Sequence, residues 1–189
     1  MDALFSSIGA VFLAEIGDKT QLLALFLSLR FAQKHMIVLG IFLSCLINHL
    51  VSAYLGVWLA QWLHGPTLTW ILGISFILIG LWLLKPDKAE RPDDSQFHKY
   101  GVLLTTIILF FLAELGDKTQ IATVILAAKF QVVTPVVLGT TIGMLLANAP
   151  VVYLGGWLMG KLPFKTIRIV ACILFLLLGV CTLSSLLFR

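Results

Sequence analysis

Two copies of one short motif carry most of the acidic side chains that this sequence places inside apolar segments. The first copy, EIGDKTQ, occupies residues 15–21, and the second, ELGDKTQ, occupies residues 114–120. Carboxylate, hydroxyl and amide oxygens are ligands of hard cations such as Ca²⁺, Mg²⁺ and Mn²⁺, whereas zinc and copper favour His and Cys. Both motifs lack His and Cys. The motifs therefore predict an all-oxygen site for a hard divalent ion.

The motif acids are the candidate ligands, and the polar side chains beside them are candidate neutral donors. On a continuous helix, residues three and four apart share a face, so Glu15, Asp18 and Lys19 are predicted to project from one arc of their span. The second motif repeats this spacing. If the two motif helices converge, their oxygens form one site. The predicted ligands are Glu15, Asp18, Glu114, Asp117, Thr20, Gln21, Thr119 and Gln120.

The formal charge of the two motifs suits one divalent ion. Four carboxylates against Lys19 and Lys118 leave a net charge of −2, which one divalent cation or two protons would neutralise. Metal and protons are therefore expected to compete for the same carboxylates, which suggests exchange. The lysines themselves are either ion-pair partners of the acids or gating cations. Gly17 and Gly116, inside the motifs, are expected to allow close helix approach or local unwinding.

A structural interpretation of the motif competes with the ion site. In it, the glutamate, aspartate and lysine of each copy form a buried salt bridge within their own helix. Structural ion pairs can be replaced by apolar packing, so a membrane protein has little need to repeat one at related positions. We therefore favour the ion site.

Composition indicates which elements must position the motifs. Of the 189 residues, 60% are hydrophobic and 12% charged, and the mean hydropathy is +1.04; a soluble domain with a polar surface does not reach such values. About 20 apolar residues cross the roughly 30 Å hydrocarbon layer as a helix. The sequence therefore predicts an all-α integral membrane protein without room for a soluble catalytic domain. Its six predicted spans lie near residues 3–29, 36–62, 66–85, 100–129, 133–160 and 164–188.

An offset of 99 residues aligns the chain with itself. Besides the motifs, it matches the tripeptide at 38–40 with that at 137–139, the tripeptide at 54–56 with that at 153–155, and Trp58 with Trp157. Matches this far from the motif indicate an internal duplication. The predicted organisation is repeat 1 at residues 1–85, a polar cytoplasmic linker at residues 86–99, and repeat 2 at residues 100–189.

The number of spans in each repeat predicts how the repeats sit in the membrane. Three spans are an odd number, so the second repeat must enter in the opposite direction, which is the inverted-repeat plan of many secondary transporters. Basic residues cluster on one predicted side, which the positive-inside rule makes cytoplasmic, and both termini are then extracytoplasmic. These short clusters explain the net charge of +4 without a nucleic-acid surface.

Polar residues in the second and fifth predicted spans form a second set of candidates. Ser44 and Asn48 lie four residues apart, and Thr141 and Asn148 lie seven apart, so each pair marks one helix face. Such faces could line an ion pathway, but polar side chains also bond neighbouring helices in lipid, which we favour. His49 aligns with Asn148 and is either a proton relay or an inter-helix hydrogen-bonding group.

With two ExGDKT motifs in a six-span chain of this size, the sequence resembles the Gdt-type family of cation/proton exchangers. This family includes the Golgi transmembrane-protein-165-like transporters and the bacterial manganese exporters called MneA. The match covers essentially the whole chain. The resemblance implies transport of manganese or calcium, against protons, with Glu15, Asp18, Glu114 and Asp117 binding the ion.

The short chain, without a long N-terminal extension or a large central loop, is more similar to a bacterial inner-membrane exporter than to organellar members. This similarity favours manganese, although the residues themselves do not separate Mn²⁺ from Ca²⁺.

Three functional hypotheses follow from the sequence. The favoured one is a secondary transporter that exports a divalent cation by alternating access, in exchange for protons. The others are a passive divalent-cation channel and a membrane assembly subunit that transports nothing. An enzyme is not expected, because the sequence has no nucleophile–base constellation, cofactor loop or metal-ligating His cluster. The only partners expected are the transported ion, protons and the lipid bilayer, with no resident cofactor and no nucleic acid.

Overall fold

The structure is a computed structural model that describes residues 1–63, 65–85, 101–155, 157 and 163–186. Over these ranges the regular secondary structure is entirely helical, which confirms the all-α prediction. The predicted linker, residues 86–99, lies outside the described residues. The helices are α1 (Asp2–Glu15), α2 (Lys19–Arg30), α3 (Lys34–Trp62), α4 (Pro66–Leu83), α5 (Gly101–Glu114), α6 (Lys118–Phe130), α7 (Thr134–Leu154) and α8 (Phe164–Ser184).

Four of these helices, α3, α4, α7 and α8, are long and apolar enough to cross a membrane. They correspond to four of the six predicted spans. Large apolar side chains remain on the outside of these helices, for example Ile47, Val51 and Trp58 of α3, which are 48%, 61% and 52% exposed. A soluble protein rarely leaves such surfaces facing water. The chain is therefore built as a membrane protein.

The two predicted spans that carry the motifs are not continuous helices. Residues 3–29 are divided into α1 and α2, and residues 100–129 into α5 and α6, with breaks at residues 16–18 and 115–117. Gly17 has φ 81° and Gly116 has φ 72°, a backbone conformation that glycine adopts without the steric cost of a side chain. The predicted helical arc shared by Glu15, Asp18 and Lys19 is therefore wrong, because α1 ends at Glu15 and α2 begins at Lys19.

The helices recur at the 99-residue offset found in the sequence. α5 begins and ends 99 residues after α1, and α6 begins 99 residues after α2. α7 begins 100 residues after α3, and α8 begins 98 residues after α4. The duplicated sequence thus folds into the same order of helices twice.

Each half packs its long helix against the broken helix of the other half. A side chain added at Gly40 of α3 would lie 2.7 Å from Cβ of Thr106 in α5. At the equivalent position in the other half, a side chain added at Gly139 of α7 would lie 2.7 Å from Cβ of Ser7 in α1. Glycine at these crossings lets the helices approach closely. The contacts are reciprocal, since Ser7 and Thr106 are also 99 residues apart.

α4 and α8 pack along each other, and the rings of Phe76 and Phe175 lie 6.2 Å apart at their crossing. These two phenylalanines occupy equivalent positions in the two halves. Beyond this pairing, α4 packs against α6 and α8 packs against α1. The fold is therefore a central group of long and broken helices that carries the motifs, with the α4–α8 pair at its side.

Candidate ion-binding site

The helix breaks place the motif side chains at the ends of four short helices. The glutamine of each motif closes the break: Gln21 Oε1 accepts a hydrogen bond from the Gly17 amide at 2.8 Å, and Gln120 Oε1 accepts one from the Gly116 amide at 2.7 Å. These bonds satisfy amides that a broken helix would otherwise leave without partners. In this arrangement both predicted amide-oxygen ligands act as local supports of the break.

The lysine of each motif pairs with the aspartate of the other motif. Lys19 Nζ lies 3.4 Å from Asp117 Oδ1, and Lys118 Nζ lies 3.4 Å from Asp18 Oδ1. Both aspartates are buried, so the pairs compensate charge that would be costly in a membrane interior. The alternative of a salt bridge within each helix does not describe these pairs, because they cross between the repeats.

The two glutamates are fully buried, and each accepts one hydrogen bond. Asn148 Nδ2 donates to Glu15 Oε1 at 3.1 Å, and Thr119 Oγ1 donates to Glu114 Oε2 at 2.8 Å. Glu15 Oε2, Glu114 Oε1 and Thr20 Oγ1 are buried and have no hydrogen-bond partner among the described residues. Buried polar atoms in proteins are nearly always bonded, so these three motif oxygens are candidates for binding an ion or a proton.

The four motif carboxylates form one electrostatic cluster. Glu15 interacts electrostatically with Glu114, Asp18 and Asp117. Across the described ranges, however, no three side chains drawn from His, Cys, Asp and Glu lie close enough together to hold a metal ion. Both aspartates contact lysine instead. In the described arrangement, lysine therefore compensates the two aspartates but not the two glutamates.

The predicted pathway residues bond neighbouring helices. Asn48 Nδ2 donates to the Phe111 carbonyl at 3.4 Å, and His49 Nδ1 lies 3.2 Å from Thr141 Oγ1. Asn148 instead contacts a motif acid directly, through its bond to Glu15. Of the three candidates, Asn148 is the one that these hydrogen bonds join to the carboxylate cluster.

Residues outside the motifs also reach the helix breaks, and the sequence does not predict them as part of the site. Arg168 Nη2 of α8 donates to the Gly17 carbonyl at 3.0 Å. The Lys118 ammonium lies 5.9 Å from the centre of the Trp82 ring and 3.5 Å from the Lys85 carbonyl. In the sequence, Arg168 and Lys85 belong only to the basic clusters of the predicted cytoplasmic side, and no local pattern links them to the distant motif residues that they contact.

Broken helices whose ends meet within the membrane form the ion sites of many secondary transporters. The fold and the site thus define a membrane transport protein. A model of the family described as "Divalent cation/proton antiporter GDT1" matches residues 3–91 and 102–187. The chain belongs to this family. It is accordingly a transporter, which confirms both the resemblance noted in the sequence and the prediction that it is not an enzyme.

Individual relatives cover nearly the whole chain. A Vibrio cholerae protein named "Putative manganese exporter" is 45% identical over 96% of this chain and 90% of its own length. "GDT1-like protein 3" of Oryza sativa subsp. indica is 24% identical over 93% of this chain and 71% of its own length. A GDT1-like protein of Synechocystis is 26% identical, over 95% and 96% respectively. No solved structure matches the chain significantly.

Proposed function

We propose that this protein exports a divalent cation, Mn²⁺ in preference to Ca²⁺, in exchange for protons, by alternating access to one site shared by the two motifs. The observation that carries the proposal is the crossed pairing of Lys19 with Asp117 and of Lys118 with Asp18. Because each pair joins the two motifs, neither motif is an independent site. Membership of the divalent cation/proton antiporter family supports this function, and the name of the Vibrio cholerae relative supports manganese.

In this proposal the four motif acids bind the ion, and the ion takes the place of the lysines beside the two aspartates. The carboxylates carry a charge of −4 and the two lysines +2, so the remaining −2 is matched by one divalent ion. For an aspartate oxygen to bind the ion, its lysine must move away. The hydroxyls of Thr20 and Thr119 and the amides of Gln21 and Gln120 are proposed neutral donors, and the glycine breaks at Gly17 and Gly116 allow the ligands to rearrange.

Proton coupling follows from the same charge count. Two protons bound to the carboxylates give the site the same net charge as one divalent ion, so the two states can replace each other without leaving uncompensated charge in the membrane. Glu15 and Glu114 are the proposed proton carriers, because both are fully buried and neither contacts a lysine in the described salt bridges.

We further propose that the chain crosses the inner membrane of a bacterium six times as two inverted repeats, residues 1–85 and 100–189, joined by a cytoplasmic linker at 86–99. In this arrangement α1 with α2 forms one broken span, and α5 with α6 forms another. The reciprocal packing at Gly40 and Gly139 supports a twofold relation between the repeats. The clustering of basic residues supports extracytoplasmic termini.

A flux assay in proteoliposomes tests this function. An exchanger should move Mn²⁺ against its concentration gradient when a pH gradient is imposed, a channel should move it only down its gradient, and a scaffold should move none. Glu15→Gln or Glu114→Gln should abolish flux, whereas the exposed acid variant Asp2→Asn should not. Unchanged flux in both glutamine variants would remove the proposed site, and parallel assays with Ca²⁺ test the ion preference.

A further inference from the structure

The carboxylate site has two flanks, which we name by the helices that reach it. The first flank is formed by α1 and α6, which meet the site at Gly17 and Lys118. The second flank is formed by α2 and α5, which meet it at Lys19 and Gly116. The 99-residue offset relates α1 to α5 and α2 to α6, so exchanging the two repeats exchanges the two flanks.

The α4–α8 pair covers the first flank at Gly17. Arg168 Nη2 donates to the Gly17 carbonyl at 3.0 Å. Beside this bond the ring of Phe164 lies against the break, so that a side chain added at Gly17 would be 2.8 Å from Phe164 Cδ1. Both residues belong to the N-terminal part of α8. The C-terminal end of the first half-helix is therefore closed by an aromatic ring and a cation.

The same helix pair covers the first flank at Lys118. The Trp82 ring of α4 lies 5.9 Å from the Lys118 ammonium, and the Lys85 carbonyl lies 3.5 Å from it. The side chain of Lys118 is only 4% exposed. The C-terminal end of α4 thus buries the lysine that pairs with Asp18.

Among the described residues, no such coverings lie on the second flank. The side chain of Lys19 is 31% exposed, against 4% for its equivalent Lys118. Gly116 is exposed, and a side chain added there would meet no described atom within 4 Å. Leu115, beside it, is 49% exposed. Two motifs of nearly identical sequence therefore differ in how their backbone and lysine are covered.

α4 and α8 form one closely packed pair. They pack closely at Gly73, where an added side chain would lie 2.5 Å from Leu183 Cγ, and at Gly80, where it would lie 3.2 Å from the Cys172 carbonyl. The pair packs against α6 and α1, and the described residues form no comparable interface of α8 with α2 or of α4 with α5. The pair therefore rests on the helices of the first flank.

A cavity separates part of this pair from the far end of α6. It has a volume of about 440 Å³, and its lining residues include Gly65, Thr69, Lys129, Gln131 and Cys181. Lys129 reaches across to the pair, donating to Thr182 Oγ1 at 3.1 Å and lying 5.1 Å from the centre of the Phe76 ring. These side-chain contacts add to the apolar packing of Leu72 and Phe76 against α6 at this end of the pair.

If each residue takes the position of its equivalent in the other repeat, a second arrangement of the same helices results. The equivalents of Phe164 and Arg168 are Gly65 and Thr69, and those of Trp82 and Lys85 are Cys181 and Ser184. In the exchanged arrangement, Gly65 and Thr69 would lie by Gly116, and Cys181 and Ser184 would lie by Lys19. The reciprocal packing of the central helices makes this exchange compatible with the rest of the fold.

We propose that the α4–α8 pair is the moving gate of the site, with Phe164 and Arg168 as positioning residues that hold it on the first flank. This inference rests on the proposed transport function. The pair covers the first flank in the structure and the second flank in the exchanged arrangement, so that the site opens to one side at a time.

Cross-linking the pair to α6 tests the gate. In a chain whose native cysteines are replaced, Lys129→Cys with Thr182→Cys places two thiols where the structure brings the pair against α6. A short bifunctional thiol reagent should link them and reduce Mn²⁺ flux in proteoliposomes by about tenfold or more, since closure motions can limit turnover. Equilibrium Mn²⁺ binding should remain within about twofold, because the link touches no proposed ligand. A reagent that can be cleaved by reduction should restore flux after cleavage.

Two further cysteine pairs distinguish a moving gate from nonspecific damage caused by cross-linking. Gly73→Cys with Leu183→Cys links α4 to α8 inside the moving unit, so that flux should be unchanged after linking. Arg30→Cys with Leu83→Cys is the repeat equivalent of the first pair and should link only as the protein passes through the exchanged arrangement. When Mn²⁺ is added, the cross-linking yields of this pair and of the first pair should change in opposite directions.

The outcomes distinguish the gate from the transport function itself. Full flux after Lys129–Thr182 linking, failure of that link to form, or no Arg30–Leu83 linking in an actively transporting sample would each overturn the moving gate. Loss of flux in the control linkage would do so as well. If the unlinked protein moves no cation in the same vesicles, the proposed transport function is wrong.

Discussion

The two motifs share the sequence ExGDKTQ, yet the structure surrounds them differently. The break at Gly17 is held by Arg168 and Phe164, whereas the break at Gly116 is exposed. Lys118 is buried beneath Trp82, whereas Lys19 is partly exposed. The difference does not come from the motifs, so it reports where the surrounding helices sit. A duplicated transporter can thus reveal one conformational state through the unequal environments of equal residues.

A second difference between the halves is a difference in residue type at equivalent positions. Asn148 bonds the buried Glu15, but its equivalent is His49, which bonds Thr141. Glu114 accepts its bond from Thr119 of its own motif. This asymmetry is one of residue type, so a change of conformation does not remove it. The two glutamates are therefore held by different donors, an amide from another helix for Glu15 and a hydroxyl of the same motif for Glu114.

The largest effect should come from removing either motif glutamate. Glu15→Gln and Glu114→Gln each leave a neutral amide where the proposed site needs a carboxylate, so Mn²⁺ flux should fall to the level of protein-free vesicles. Measuring both variants shows whether the halves are equally necessary despite their different surroundings. Substantial flux in one of the two would mean that the acids do not act as one site.

Replacing the motif lysines should reveal the difference in burial between them. Lys118→Ala leaves Asp18 without this buried partner and should cost about 3–5 kcal/mol of stability, as expected for breaking a buried pair. Lys19→Ala removes a partner that is 31% exposed, and solvent screening should reduce the cost to about 1 kcal/mol. Thermal unfolding in detergent at matched lipid content compares them. Equal losses would contradict the unequal covering of the two flanks.

Substitution of Arg168 should weaken the covered flank without touching a proposed ligand. Arg168→Gln removes a charged hydrogen bond of about 1.5–3 kcal/mol to the Gly17 carbonyl. The matched control, Thr69→Ala at the equivalent position, removes a side chain that makes no described contact with Gly116. Thiol labelling of a cysteine placed at Ile16 should rise in the arginine variant and stay unchanged in the control. A rise of equal size in both would show that Arg168 does not hold this break.

The smallest effect should come from substituting Asn148 or its repeat equivalent, His49. Asn148→Ala removes the donor to a buried glutamate and should weaken Mn²⁺ binding by about 1–3 kcal/mol, whereas His49→Ala loses one neutral hydrogen bond of about 1 kcal/mol away from the acids. Equilibrium binding measured over a range of pH compares the two. Because protons and metal are proposed to compete, binding should weaken as the pH falls in both variants. A larger loss in the histidine variant would make His49 part of the site.

Much of the fold could be predicted from the sequence because long apolar segments leave few alternatives in a membrane. The predicted spans at 36–62, 66–85 and 164–188 begin within about two residues of α3, α4 and α8, an agreement closer than boundaries usually allow. The motif spans could not be predicted in this way. A glycine within an apolar segment is compatible with both a continuous and a broken helix, and the left-handed conformation of Gly17 becomes evident only in the fold.

The sequence predicts which types of residue form the site but not which of them pair with each other. Residue types alone indicated that the motif acids and lysines belong together. Which lysine meets which aspartate depends on how the two broken helices cross, and helical spacing relates only residues of the same motif. Arg168 could not be found at all, because its contact with Gly17 joins residues 151 positions apart.

The number of ions bound by each chain tests most directly whether the two motifs form a single site. Titration of the purified protein with Mn²⁺, followed by calorimetry in two buffers of different ionisation enthalpy, measures the bound ions and the protons that they displace. We predict one ion per chain, release of protons on binding, and loss of all binding in Glu15→Gln alone and in Glu114→Gln alone. Two ions per chain, with one of them retained in each single variant, would contradict the shared site.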